Sequence, residues 1–178
     1  MFKKILSYGT VAGLVVGVAL FGLTVGMKDH PPSSYGMLIG YLTMLVGLSA
    51  VFLAIKKHRD ADLGGVIRFW PALGLGLGVS LVASLFYVAA WEAALAFTHM
   101  DFAGSYAAAL IDQQRGRGVS GEALAKFTAD METFKAEYSN PLFRLPMTFT
   151  EIFPVGVLVS LVSAGLLRSS RFLPARQA

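Results

Sequence analysis

The sequence predicts an all-α, polytopic membrane protein with four transmembrane helices and an extracytoplasmic amphipathic helical hairpin between the third and the fourth. Three observations predict this. Hydrophobic residues make up 55% of the 178, charged residues only 15%, and mean hydropathy is +0.62. That balance suits lipid rather than water as the solvent. Four apolar runs are each long enough to cross roughly 30 Å of hydrocarbon. Lys and Arg are also shared unequally between the flanks of those runs, which sets an orientation. One membrane domain over 1–178 is expected, its core formed by helix faces that meet in lipid. The absence of cysteine excludes disulfides, thiolate zinc sites and cysteine catalysis.

The first span is expected at about 5–27. Lys3 and Lys4 precede a run longer than a signal-peptide core, with no small-x-small cleavage pattern leading into a soluble domain. Gly9, Gly13 and Gly17 stand four apart, and Gly22 and Gly26 continue the spacing with an offset. Such a stripe lets a second helix approach closely. KDHPPSS, 28–34, is read as a turn. The second span, 35–55, carries Gly36, Gly40 and Gly47 on a helical face and ends in KKHRD, 56–60. Pro71 restarts the chain for a third span to about 97, with Gly74, Gly76 and Gly78 early and Trp91 and Glu92 late. Trp70 and Trp91 read as interfacial anchors.

Residues 99–139 form the one sizeable polar section. Asp101 is placed to cap a helix with Phe102, Tyr106 and Leu110 on one face, and RGRG, 115–118, breaks it. Ser120 is read as the cap of a second helix over 120–138. Its apolar residues Leu124, Phe127, Met131, Phe134 and Tyr138 alternate spacings of three and four. Glu122 and Lys126 form a favourable i,i+4 pair on it. The apolar stripe is expected against the membrane surface, the bundle mouth or a partner.

The fourth span, about 142–167, is the unusual one. Asn140 is a good N-cap and Pro141 a good first helical residue. Pro146 and Pro154 then free the carbonyls of Leu142 and Thr150. A freed carbonyl in lipid needs a partner, and Thr148 and Thr150 carry hydroxyls that offer one. Beyond Pro154, Gly156, Ser160 and Ala164 make another small-residue face.

Flank charges divide cleanly. Lys3, Lys4, Lys56, Lys57, Arg59, Arg68, Arg168, Arg171 and Arg176 against Asp60 and Asp62 leave one side at about +7. Lys28, Arg115, Arg117, Lys126, Lys135 and Arg144 against seven acids leave the other at about −1. Both termini are therefore expected in the cytoplasm. The net charge of +4 has this topological explanation, and no nucleic-acid partner is expected.

Glu92 and Glu151 are the acids left within spans. A carboxylate at membrane depth costs roughly 2.5–3.5 kcal/mol on insertion scales, so it is partnered or used. Both are expected in the outer half of the bilayer, where they would meet or share a vestibule and handle a proton or cation. The plainer reading makes Glu92 interfacial and Glu151 a hydrogen-bonded packing residue. Glu92 and His99, seven apart, are weak metal candidates whose spacing fits no strong motif. The Gly74–Gly78 run lacks the strand and spacing of a nucleotide loop. KKHRD is most simply a positive-inside signal. No HExxH, GxSxG, kinase or P-loop pattern is present, and no cofactor is expected.

Several ordered segments also carry a family likeness: GYLTMLVGLSAVFLAIKKHRD from Gly40, FYVAAWE from Phe86, FKAEYSNPLFRLPMTFTEIFPVG from Phe134, and SLVSAGLL from Ser160. Together they resemble the bacterial domain-of-unknown-function family 4199, over nearly the whole chain. The resemblance implies a small four-helix protein of the bacterial inner membrane and implies no activity. Two functions remain open. One is a non-enzymatic interaction or accessory subunit, or a homo-oligomer, joined through the glycine faces or the 120–138 helix. The other is a small proton- or cation-coupled carrier or channel using Glu151, with Thr150 and Pro154 beside it, and Glu92. The lack of an internal repeat favours the first.

Overall fold

A computed structural model describes residues 1–26 and 34–174, with side chains throughout except at 34–37. His30 and Arg176 lie outside the described residues, as does most of the turn expected at 28–34. Among the described residues there are six helices: α1 (Phe2–Gly26), α2 (Ser34–Asp62), α3 (Phe69–Thr98), α4 (Phe102–Gly116), α5 (Gly121–Tyr138) and α6 (Pro141–Leu167). No strand occurs among these residues. Helices α1, α2, α3 and α6 are long and apolar enough to cross a membrane. Each is apolar nearly all round, as lipid allows.

The four long helices form a ring in which α3 packs on α1 and α6, and α2 closes the other side between α1 and α6. The seam between α1 and α3 is parallel and reciprocal. Small residues on one helix face larger ones on the other along the whole seam. Gly78 faces Ile5, Gly9 faces Val82, Gly13 faces Phe86 and Gly17 faces Ala90. A Cβ at Gly13 would sit 2.5 Å from that of Phe86, so only glycine allows the approach. The α3–α6 seam is antiparallel. Gly76 faces Ser160 and Gly156 faces Ser80. Ser80 Oγ donates to the Gly156 carbonyl (3.1 Å), which also accepts from Ser160 Oγ (2.7 Å). In lipid such packing and hydroxyl bonds substitute for the missing hydrophobic drive. Gly47 of α2 is pressed against Val16.

Not every glycine packs. Gly22, Gly26 and Gly40 have nothing close to where a side chain would begin, and Gly74 meets only the tip of Met1. The spacing that marks Gly40 and Gly74 therefore does not mark a tight contact: each is turned away from its neighbour's backbone. The surroundings of Gly36 are outside the described side chains. The glycine faces that do pack are used within the chain and are not free for a second copy.

The KKHRD segment is helical, so α2 runs almost two turns past 55. Its charges support the extension through Lys56 to Asp60 (2.5 Å) and His58 to Asp62 (2.6 Å), both i,i+4. Arg59 is 0% exposed. Its guanidinium donates to the carbonyls of Leu167 (3.4 Å), Phe172 (2.9 Å) and Leu173 (2.5 Å), and Nε donates to Asp60 (2.6 Å). One side chain thus satisfies an orphan carbonyl at the end of α6 and two more in the segment beyond it. Lys4 of α1 pairs with Asp62. The charged end of α2, Lys56 to Asp62, is therefore also the fastening that holds α1, α2 and α6 together.

The other end carries the α4–α5 hairpin. Asp101 caps α4 by accepting from the Gly104 amide (2.8 Å). Ser120 makes no side-chain cap bond, and Gly121 behind it has φ +61°, so the chain enters α5 by a glycine turn instead. Ala103 and Ala107 of α4 are buried, while Leu124, Phe127, Met131 and Phe134 of α5 are half-buried. The two helices pack on each other, and α5 also meets the start of α6. The amphipathic stripe is thus covered largely by the hairpin's own partner helix.

Candidate functional site

The polar residues of the hairpin end come from α3, α5 and α6. Glu92, late on α3, lies opposite Arg144, one turn into α6. Arg144 donates through Nε (2.7 Å) and Nη2 (2.5 Å) to the two Glu92 oxygens, a bidentate fork. Its third group, Nη1, donates to the Tyr138 carbonyl (3.2 Å), and the guanidinium lies over the Tyr138 ring at 5.7 Å. Tyr138 Oη accepts from Trp91 Nε1 (2.8 Å). Burial pushes the Tyr138 hydroxyl up to about 12, so it stays neutral. Rings close around this lock: Trp91 on Phe102 at 4.9 Å, Phe102 on Tyr106 at 5.9 Å, and Phe134 on Tyr138 at 5.5 Å. Edge and offset contacts of this kind add to area burial.

Glu92 is thus an ion-pair partner that fixes α6 and the hairpin to α3. It does not meet Glu151. The two acids lie along one antiparallel seam, and each has its own partner. Glu151 Oε2 accepts from the Tyr87 hydroxyl at 3.3 Å, and Tyr87 is buried. Glu151 itself is exposed on the surface of the isolated bundle. It stands ~15 Å along α6 from Pro141 and ~24 Å from Leu167, within the span. Pro154 is exposed one turn on.

The hydroxyls expected to serve the freed carbonyls do something else. Thr148 donates to the Arg144 carbonyl (3.0 Å) and Thr150 to that of Met147 (2.7 Å), both in their own helix. A threonine bonds most easily to the preceding turn of its own helix. Neither therefore reaches Leu142 or Thr150 oxygen.

His99 does not join Glu92. It is an exposed residue in the left-handed region (φ 50°), where it ends α3 with its amide bonded to the Leu95 carbonyl. Among the described residues no group of three or more His, Cys, Asp or Glu is placed to hold a metal. Trp70 is 76% exposed, whereas Trp91 is built into the lock. Sequence reasoning placed Arg144 with the flank charges and Tyr138 in the apolar stripe of α5, and passed over Tyr87. The available signal for Arg144 was its place one turn inside a helix that Asn140 starts, since a charge there needs a partner. Asn140 does cap, accepting from the Leu142 amide at 3.0 Å.

Residues 7–169 match the family described as Protein of unknown function (DUF4199). The chain belongs to this family. It is also 31% identical over 80 residues to the uncharacterized protein MJ0565 of Methanocaldococcus jannaschii, a match covering 44% of this chain and 54% of that protein. The chain thus spans about half the length of that relative. No solved structure matches.

Proposed function

We propose that this DUF4199 protein is a non-enzymatic accessory subunit of the membrane, and that the exposed flank of α6 around Glu151 contacts its partner. The observation that carries this is the position of Glu151, a carboxylate on the outside of the isolated bundle at span depth, held by one tyrosine hydroxyl. An acid facing lipid is costly, and another helix with a donor or cation would cover it. Two further facts support the reading. The tight glycine faces are used up inside the chain, so the partner surface lies elsewhere. The crevice that Tyr87 lines is only about 20 Å3, about one water's worth, and is by itself no aqueous path.

The orientation proposed is both termini in the cytoplasm and the hairpin outside, in the inner membrane of a bacterium. The Lys and Arg asymmetry supports it.

The test is purification from the native membrane in mild detergent with native mass spectrometry. A stoichiometric second chain, or a homo-oligomer, is expected, and Glu151→Gln should lose it while the chain stays helical. Release of wild type as a bare monomer would overturn the proposal. The carrier reading keeps one observation in its favour: Tyr87 links Glu151 to the crevice between α1 and α2. It requires Glu151→Gln to abolish a pH-dependent flux in liposomes, and unchanged flux removes it.

A further inference from the structure

Where the hairpin joins the bundle there is a crevice of about 180 Å3, open to the outside. Its lining includes Asp101 and Phe102 from the start of α4, Lys135, Tyr138 and Ser139 from the end of α5, and Arg144 from α6. Two cations and an anion from three helices therefore line one small space, with two aromatic residues in its wall. Several of their bonding groups are uncommitted. Glu92 and the Tyr138 carbonyl use three of the five Arg144 donors. Lys135 has only a 3.5 Å approach to Glu132, both side chains largely in the open. Asp101 spends Oδ1 on the Gly104 amide.

The depth of the crevice is set by helix length. α3 and α6 have 30 and 27 residues, ~45 and ~40 Å, against a hydrocarbon core of ~30 Å. With the excess shared between the two ends, their hairpin-side ends reach the headgroup layer. On the same turns Phe97 and Leu142 stand exposed, giving an apolar flank for acyl chains.

We propose that this crevice seats the headgroup of a zwitterionic phospholipid with a primary ammonium. The phosphate lies on Lys135 and the free donors of Arg144. The ammonium lies on Asp101, whose Oδ2 makes no bond to the cap, with the Phe102 ring beside it. A free phosphate shares half of this chemistry but has no use for Asp101 or the apolar flank.

The test is titration of the delipidated full-length protein with short-chain phosphatidylethanolamine, short-chain phosphatidylglycerol and inorganic phosphate, followed by native mass spectrometry. Phosphatidylethanolamine is expected to bind about tenfold more tightly than phosphatidylglycerol, the scale of one bond to a charged group. Asp101→Asn keeps an N-cap oxygen and should erase that preference, while Lys135→Gln should weaken both lipids. Circular dichroism should not change for either variant. Equal affinities, indifferent to both variants, would overturn the proposal. So would inorganic phosphate displacing the lipid at similar concentration, because the site would then be an anion site.

Discussion

The two ends of the bundle each solve the same problem, an arginine taken out of water, in different ways. At the end that carries the termini, Arg59 is wholly buried and gives most of its donors to backbone carbonyls at the end of α6 and just beyond it. At the hairpin end, Arg144 gives its fork to a side chain, Glu92, and both remain partly open, at 16% and 30%. The first arrangement caps a helix and pins the segment beyond it. The second ties α6 to α3 and leaves donors over. A fully buried donor set with four of its five N–H groups committed belongs to structure. A partly open one with spare donors is where a ligand or partner can act.

This contrast can be broken experimentally. The largest effect is expected from Arg59→Met, which leaves three carbonyls without their donor. It should cost about 3 kcal/mol, on the scale of removing one partner from a buried charged network, read by denaturant titration in micelles. Arg59→Lys should restore only part, because an ammonium cannot fork across several carbonyls. If Arg59→Met were as stable as wild type, the distinction between the ends would fail.

Next comes the seam that runs between the ends. Gly13→Val puts a branched side chain where Phe86 already sits and should cost about 2 kcal/mol by overpacking. Adding Phe86→Ala should recover much of it, whereas a loss unaffected by the second change would place the strain elsewhere. A smaller effect is expected at the hairpin end. A double-mutant cycle of Glu92→Gln and Arg144→Gln should give a coupling of about 1 kcal/mol. A coupling near zero would mean that the fork contributes nothing to holding the hairpin.

The smallest effect compares two caps. Asp101→Ala should cost about 1 kcal/mol and Ser120→Ala almost nothing, because only Asp101 makes a side-chain cap bond. Orientation has its own measurement, helped by the absence of native cysteine. Ser120→Cys should react with a membrane-impermeant maleimide on intact cells and Lys57→Cys should not. The reverse pattern would invert the topology.

Much of the architecture was legible because lipid imposes it. A segment that crosses hydrocarbon must satisfy its own backbone and be apolar over its length, and both properties are local. α6 starts at Pro141 behind Asn140 for local reasons too. The hairpin was legible from the three-four spacing of Leu124 to Tyr138. The candidate site was legible in part. Glu92 and Glu151 stood out as acids in apolar runs, but their partners did not. Arg144 looked like a flank charge, and Tyr87 like any aromatic in a span. Ser120 misled for a related reason: a capping residue type declares only an ability, and the turn at Gly121 decided otherwise.

The sequence by itself determined four spans, a polar hairpin after the third, and which residues are too polar for their depth. These follow from transfer free energies and helix periodicity, which each segment carries alone. Only the tertiary structure decided that Gly13 meets Phe86, that Arg59 ends α6, and that Glu92 goes to Arg144 while Glu151 remains at the surface. Those outcomes depend on which faces meet and in what register. In lipid, register is set by the shape and hydrogen bonding of helices far apart in the chain.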